Sequence, residues 1–229
     1  MLRMPFGCVV AIAMLVGASS PVEATPISVL NSSFENPITA NYQSGITDWF
    51  STSPSNTAVF DPAKTAACCG GLGYYFNQAL PDGHQTASSN YGDIYQVLGD
   101  VLTAGQTYTL TVAVGDRIGA FSVPSHAIQL RAGGTILASN SGAPADGYFV
   151  DVTVMYMATA VSLGLGSPLE IWLVNNAGAV VEESQINYDD VRLAAVPAST
   201  APVPEPATLL LVGTGLAAAY RRRYQRSRP

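Results

Sequence analysis

Two carboxylates in this 229-residue chain sit where a carboxylate could do work, Glu35 and Asp189. The segment "QINYDDVRLAA" (185–195) reads as a strand. Alternation places Asp189, Val191 and Leu193 on one face and Tyr188, Asp190 and Arg192 on the other. Val191 and Leu193 belong in a core, so Asp189 is expected to point inward. A buried carboxylate needs a partner. Either backbone N–H groups donate to it and Glu35 is exposed, or a cation is held there. Aromatic side chains are the second candidate group. Tyr74 and Tyr75 follow a glycine-rich stretch, and Trp172 alternates with Ile171 and Leu173. All three could stack on sugar rings. Trp49, at the end of "ITDW", is expected in the core.

Other chemistry is poorly provided for. His84 and His126 are far apart, and no nucleophile elbow, zinc-protease or phosphate-cradling glycine motif is present. Cys68 and Cys69 are adjacent. They can close a strained vicinal disulfide, stay as thiols, or pair between chains. The redox spacing of two intervening residues is absent, and a metal site needs more ligands than this pair supplies.

The elements that must position these groups are strands. "TYTLTVAVG" (107–115) places Tyr108, Leu110, Val112 and Val114 on one face, and "YFVDVTVMYMA" (148–158) alternates likewise. Segments 93–99, 126–134, 135–140, 169–176 and 185–195 complete the set, with Gly133-Gly134 as a hairpin turn. Strands recur every 10–15 residues, which predicts an all-β fold, a single antiparallel β-sandwich. Region 51–92 is loop-rich, with short strand-like pieces at 57–60, 74–78 and 85–89. Long structured loops on a sandwich are where binding usually sits.

The termini have a different character. Arg3, the apolar "FGCVVAIAMLVGA" (6–18) and the small residues of "VEA" (22–24) form a signal peptide, residues 1–24, cleaved after Ala24. The sandwich is expected over 25–195, followed by a Pro/Ala/Ser/Thr linker, 196–203. Five of the ten basic residues lie in the last nine positions. Without 1–24 and 204–229, four basic and fourteen acidic residues remain, a net charge of −10. So acidic a domain repels phosphate backbones, which argues against nucleic acid. The apolar run 207–220 reaches roughly 21 Å as a helix, short of a bilayer core of about 30 Å. It suits a short membrane helix that pauses in the bilayer and is then processed, with the arginines in the cytoplasm.

The order Pro204-Glu205-Pro206, apolar run, then Arg221, Arg222 and Arg223 resembles the PEP-CTERM sorting signal of Gram-negative bacteria. That resemblance implies an exosortase-type processing protease as partner and a transient anchor in the inner membrane. It also implies a final place at the cell surface or in a biofilm matrix among exopolysaccharide.

"VLNSSFENP" (29–37), "GITDWF" (45–50), "LTAGQTYTLTV" (102–112) and "INYDDVRL" (186–193) resemble, in that order, jelly-roll carbohydrate-binding modules and galactose-binding-like domains. This implies a jelly roll, and a structural Ca²⁺ held by Glu35 of the first strand and Asp189 of the last. Together these readings predict an exported, non-catalytic protein that binds or scaffolds extracellular polysaccharide. A purely structural matrix protein and a glycan-active hydrolase are the alternatives.

Overall fold

The computed structural model describes residues 23–39, 41–63, 72–119, 123–177, 184–198 and 215. Twelve strands pair antiparallel in two sheets. They are β1 (Thr25–Ile27), β2 (Tyr42–Ser44), β3 (Phe50–Ser51), β4 (Thr57–Phe60), β5 (Thr86–Ser89) and β6 (Ile94–Val101). They continue with β7 (Gln106–Gly115), β8 (His126–Ala132), β9 (Thr135–Asn140), β10 (Phe149–Met157), β11 (Pro168–Asn175) and β12 (Ile186–Pro197). Among the described residues a short α-helix, α1 (Leu72–Tyr75), interrupts the series.

The first sheet runs β10-β7-β12-β5-β4-β2, with β1 also on β12; the second runs β3-β6-β11-β8-β9. The inner faces meet in one core, an antiparallel jelly-roll sandwich as expected. Tyr108, Leu110, Val112 and Val114 of β7 face Leu169, Ile171 and Leu173 of β11 and Ile128 and Leu130 of β8 within it. Trp49 joins them, and its indole N–H donates to the carbonyl oxygens of Leu30 (3.1 Å) and Asn31 (3.2 Å). Gly133 and Gly134 turn β8 into β9 with φ of +54° and +79°, a pair that glycine adopts without strain.

Three expectations change. Residues 74–78 are not strand-like, because Tyr74 and Tyr75 lie in α1. The last strand continues to Pro197, two residues beyond the expected domain end. It also carries a register shift between Asp189 and Arg192, where Asp190 has φ +46°. A bulge of this kind inverts the side-chain phase. Val191 and Leu193 face the sandwich core after it, but Ile186 and Tyr188 do so before it. Asp189 therefore shares the outer face with Asn187. It is fully buried all the same, since chain beyond the sheet covers that face.

Candidate functional site

The outer face of the first sheet carries a row of paired residues: Phe149 on β10, Gly115 on β7, Asn187 on β12, Ser88 on β5 and Ala58 on β4. Small residues flank Asn187 on both sides, so its carboxamide stands in a trough. Gly115 is required there, because a Cβ would lie 2.4 Å from the Phe149 ring. Asn187 is 0% exposed, and neither its Oδ1 nor its Nδ2 has a hydrogen-bond partner. Leaving a buried polar group unpaired costs about 1–3 kcal/mol per group, so such a residue calls for a reason.

Aromatic rings stand on either side of this trough. Phe76 packs on Phe149 with centroids 4.9 Å apart. On the β4 side Phe60 meets Tyr42 at 4.7 Å and the edge of Tyr75 at 4.8 Å. The Arg117 guanidinium lies 4.5 Å from the Tyr75 centroid and 5.5 Å from that of Phe60. Cation–π contacts of this length hold a cation well when water is excluded. Arg117 Nη1 also donates to Gln185 Oε1 at 2.8 Å, and Gln185 Nε2 donates to Asn90 Oδ1 at 2.8 Å and to the Tyr42 hydroxyl. Gln185, Asn187 and Asp189 thus form one buried polar stripe along β12.

The roof is α1 and the chain after it, tied down at several points. Tyr75 O accepts from Ile118 N (2.9 Å), and Asn77 N donates to Gly147 O (2.8 Å). Farther on, segment 82–85 is held by both predicted carboxylates. Asp82 N donates to Asp189 Oδ2 (3.1 Å), while His84 N and Gln85 N donate to Glu35 Oε1 (2.7 Å each). A Cβ on Gly83 would lie 2.3 Å from that same Glu35 oxygen, at a residue with φ +67°. Glu35 and Asp189 therefore both accept from the backbone of one loop, 82–85.

Asp189 Oδ1 accepts from Asp190 N at 2.7 Å. Burial, together with the charges of Asp82 and Asp190, pushes its pKa from 3.8 up to about 8, against the pull of its two backbone bonds. Every charged neighbour that shifts it is acidic, and that environment fits a hard cation. Among the described residues no three His, Cys, Asp or Glu side chains converge on one point. A cation would therefore need backbone carbonyls besides Glu35 and Asp189. At the β7 end, burial and the nearby Asp146 raise Asp116 to about 6.

The residues expected to face sugar rings are not brought together. Trp172 lies on the outer face of the second sheet, away from Tyr74 and Tyr75. Tyr95 stacks on one face of its indole at 4.3 Å, Arg131 covers it at 3.9 Å, and its N–H donates to Glu170 Oε2 at 2.8 Å. With both faces covered, no sugar can stack there. Tyr75 is 5% exposed and belongs to the aromatic cluster; Tyr74, at 57%, alone is open. Cys68, Cys69, residues 1–22 of the expected signal peptide and the tail motif lie outside the described residues.

Sequence reading missed Asn187, Gln185, Arg117, Phe60 and Phe149. In "QINYD" the polar residues alternate with Ile186 and Tyr188, which ordinarily marks a solvent face. Only the loop-rich stretch before β5 pointed to a cover over this face.

Fold and site define an antiparallel sandwich with a roofed, aromatic-walled polar stripe on one outer face. The chain belongs to the HpiC1-like family, described as HpiC1 cyclase, which it matches over residues 25–194. The PEP-CTERM protein-sorting motif matches 202–223, which contains Pro204, Glu205, Pro206, Arg221, Arg222 and Arg223. The motif marks an exported, exosortase-processed cell-surface protein. Among solved structures, the chain resembles the Stig cyclase Fisc from Fischerella sp. TAU in complex with (3Z)-3-(1-methyl-2-pyrrolidinylidene)-3H-indole. That likeness has 27% identity and a TM-score of 0.66, covering 77% of this chain and 100% of that one. A cyclase from Fischerella sp. TAU in complex with 4-(1H-indol-3-yl)butan-2-one matches at 28% identity and TM-score 0.66, with the same coverage. The CBM22-1 xylan-binding domain of Paenibacillus barcinonensis Xyn10C matches at 16% identity and TM-score 0.44, too slight a likeness to carry a sugar-binding argument. Among curated proteins none matches. The family and its solved neighbours are enzymes by name. They point toward catalysis and lend no support to the expectation of a non-catalytic module. Among the described residues no helix is long and apolar enough to cross a membrane.

Proposed function

We propose that this protein is an exported member of the cyclase family whose roofed site takes a small planar ligand, mostly apolar, that both donates and accepts hydrogen bonds. The observation that carries this reading is Asn187. Its carboxamide offers two donors and an acceptor, all unpaired, between aromatic walls. A ligand that supplies the missing partners removes a standing penalty, and rings on either side suit a flat apolar body. The 4-(1H-indol-3-yl)butan-2-one bound by one solved cyclase fits that description, with an indole N–H to donate and a ketone oxygen to accept.

A calcium ion held by Glu35, Asp189 and backbone carbonyls is part of the reading. Glu35 lies in the β1–β2 connection rather than on the first strand, so the ion would fasten the 82–85 end of the roof to that connection and to β12, and supply no chemistry to the ligand. Before processing by an exosortase-type protease, the apolar run 207–220 holds the protein at the inner membrane. Extracellular polysaccharide is then the surroundings of the mature protein rather than the occupant of this site.

The test uses 4-(1H-indol-3-yl)butan-2-one, titrated calorimetrically into the domain. Saturable binding is expected. Asn187→Ala should weaken it about tenfold, the worth of a hydrogen bond or two, without lowering the melting temperature. Absence of saturable binding, or equal affinity in the variant, sinks the reading. Conversion of a bound ligand is the second reading, favoured by the family match over residues 25–194. A new chromatographic species of unchanged mass, formed only with protein present and with one double bond fewer by NMR, would establish ring closure.

A further inference from the structure

The sandwich has two unlike ends. Met157 pairs with Thr107 and Pro197 with Gln106. Gly105 N donates to Ala158 O, and Ala198 N donates to Gly105 O. The β10–β11 loop, the β6–β7 turn and the exit of the chain toward its tail are therefore together. The same loop reaches the turn through Gly166 N to Leu102 O and Leu102 N to Ser167 O. In a domain of net charge −10, the 157–168 loop at this end contains no charged residue, and Asp100 is the one carboxylate in the groove that Thr25, Gln106 and Pro197 line beside it. Glu35, Asp82, Asp116, Asp146, Asp189 and Asp190 all lie around the roofed site at the other end.

This end also presents apolar side chains to solvent. Val161 is 88% exposed and Leu163 74%, both in the 159–166 loop, and Met155 and Met157 follow on the outer face of β10. Exposed apolar residues gathered on one end mark an interaction surface. The chain itself says what lies opposite. Only nine residues, 198–206, separate the end of β12 from the apolar run 207–220. Fully extended they span about 30 Å, and two prolines flanking Glu205 keep them from being freely coiled.

We propose that, while the tail is uncleaved, the loop 159–166 rests on the bilayer surface with Val161 and Leu163 in the interface. This rests on the reading that the run 207–220 lies in the membrane. The 159–166 loop itself carries no acidic group, so it avoids the repulsion that the acidic parts of this domain would meet from anionic headgroups. Two apolar side chains on a loop give reversible contact, not anchoring. Cleavage of the tail then frees the domain, since nothing else holds it down.

The test is hydrogen–deuterium exchange on the full chain reconstituted in phosphatidylethanolamine/phosphatidylglycerol vesicles, against the tail-cleaved protein. Exchange in 159–166 should slow several-fold in vesicles, while 145–148 at the far end stays unchanged. The double variant Val161→Asp/Leu163→Asp, at positions exposed enough to leave the fold intact, should lose the protection yet still float with vesicles. Failure of the full chain to float refutes the tail reading and the contact with it. Flotation without slower exchange overturns the contact alone. Equal slowing in cleaved protein without vesicles assigns the surface to a second copy of the chain, and also overturns it.

Discussion

Replacing Asp189 with Asn tests the cation and the buried charge together. In the cation-free protein Asp189 titrates near pH 8 instead of 3.8. Between those values the folded state binds more protons than the unfolded one, so cation-free stability falls as pH rises from about 4 to about 8. Below pH 4 both states are protonated and the effect vanishes. At pH 7 the penalty is about 4 kcal/mol at 1.36 kcal/mol per unit. Asn removes it, but its one carbonyl oxygen cannot accept from both Asp82 N and Asp190 N, a loss of about 1–2 kcal/mol. The variant in chelator should therefore be more stable than wild type by about 2 kcal/mol, a rise of roughly 4–8 °C in Tm for a domain of this size. Calcium at a hundredfold excess over Kd should stabilise wild type by about 2.7 kcal/mol and the variant not at all. Melting curves by circular dichroism, in calcium and in chelator, read both effects. Identical wild-type curves in the two buffers would refute the cation. A variant less stable than wild type in chelator would show that the backbone bonds outweigh the buried charge, and the electrostatic reasoning would fail.

Gly115→Ala should destabilise the domain by about 1–3 kcal/mol and weaken indole binding, because the new methyl drives into the Phe149 ring; unchanged melting and affinity would remove Phe149 from the site. Replacing Arg221, Arg222 and Arg223 with Ala should leave precursor of unprocessed mass and release protein to the medium, as the cytoplasmic stop weakens; identical processing would count against the sorting role. If Cys68 and Cys69 are bonded to each other, denatured protein should show no free thiol and no covalent dimer, which thiol labelling with intact mass decides.

β7 and β10 were legible because each buries one face over most of its length, so period-2 patterning in 107–115 and 148–158 reports the core directly. Asp189 shows where that reasoning stops. Counting backward from Val191 assumes an unbroken pleat, and the extra residue at the bulge sends the carboxylate to the opposite face. It ends up buried for a different reason, the roof formed by a segment whose composition reads only as loop. Trp172 fails in a related way. Alternation correctly takes it out of the core, but what covers its faces is set by register. Tyr95 is its partner on β6 and Arg131 comes from β8, and neither pairing is written in the sequence around Trp172.

The bulge also explains why one strand can serve both ends of the molecule. Before it, β12 is flanked by β5 and β7 and presents Gln185, Asn187 and Asp189 to the roofed site. After it, β12 is flanked by β1 and β7 and leads into the linker. Asn187 and Pro197 are ten residues apart on this strand, about 33 Å at the usual rise. That separation places Asn187 and Asp189 far from the chain exit and the uncharged apolar loop beside it. A domain held by its tail would present the site away from the bilayer. Processing then changes where the protein resides without disturbing the groups that recognise its ligand.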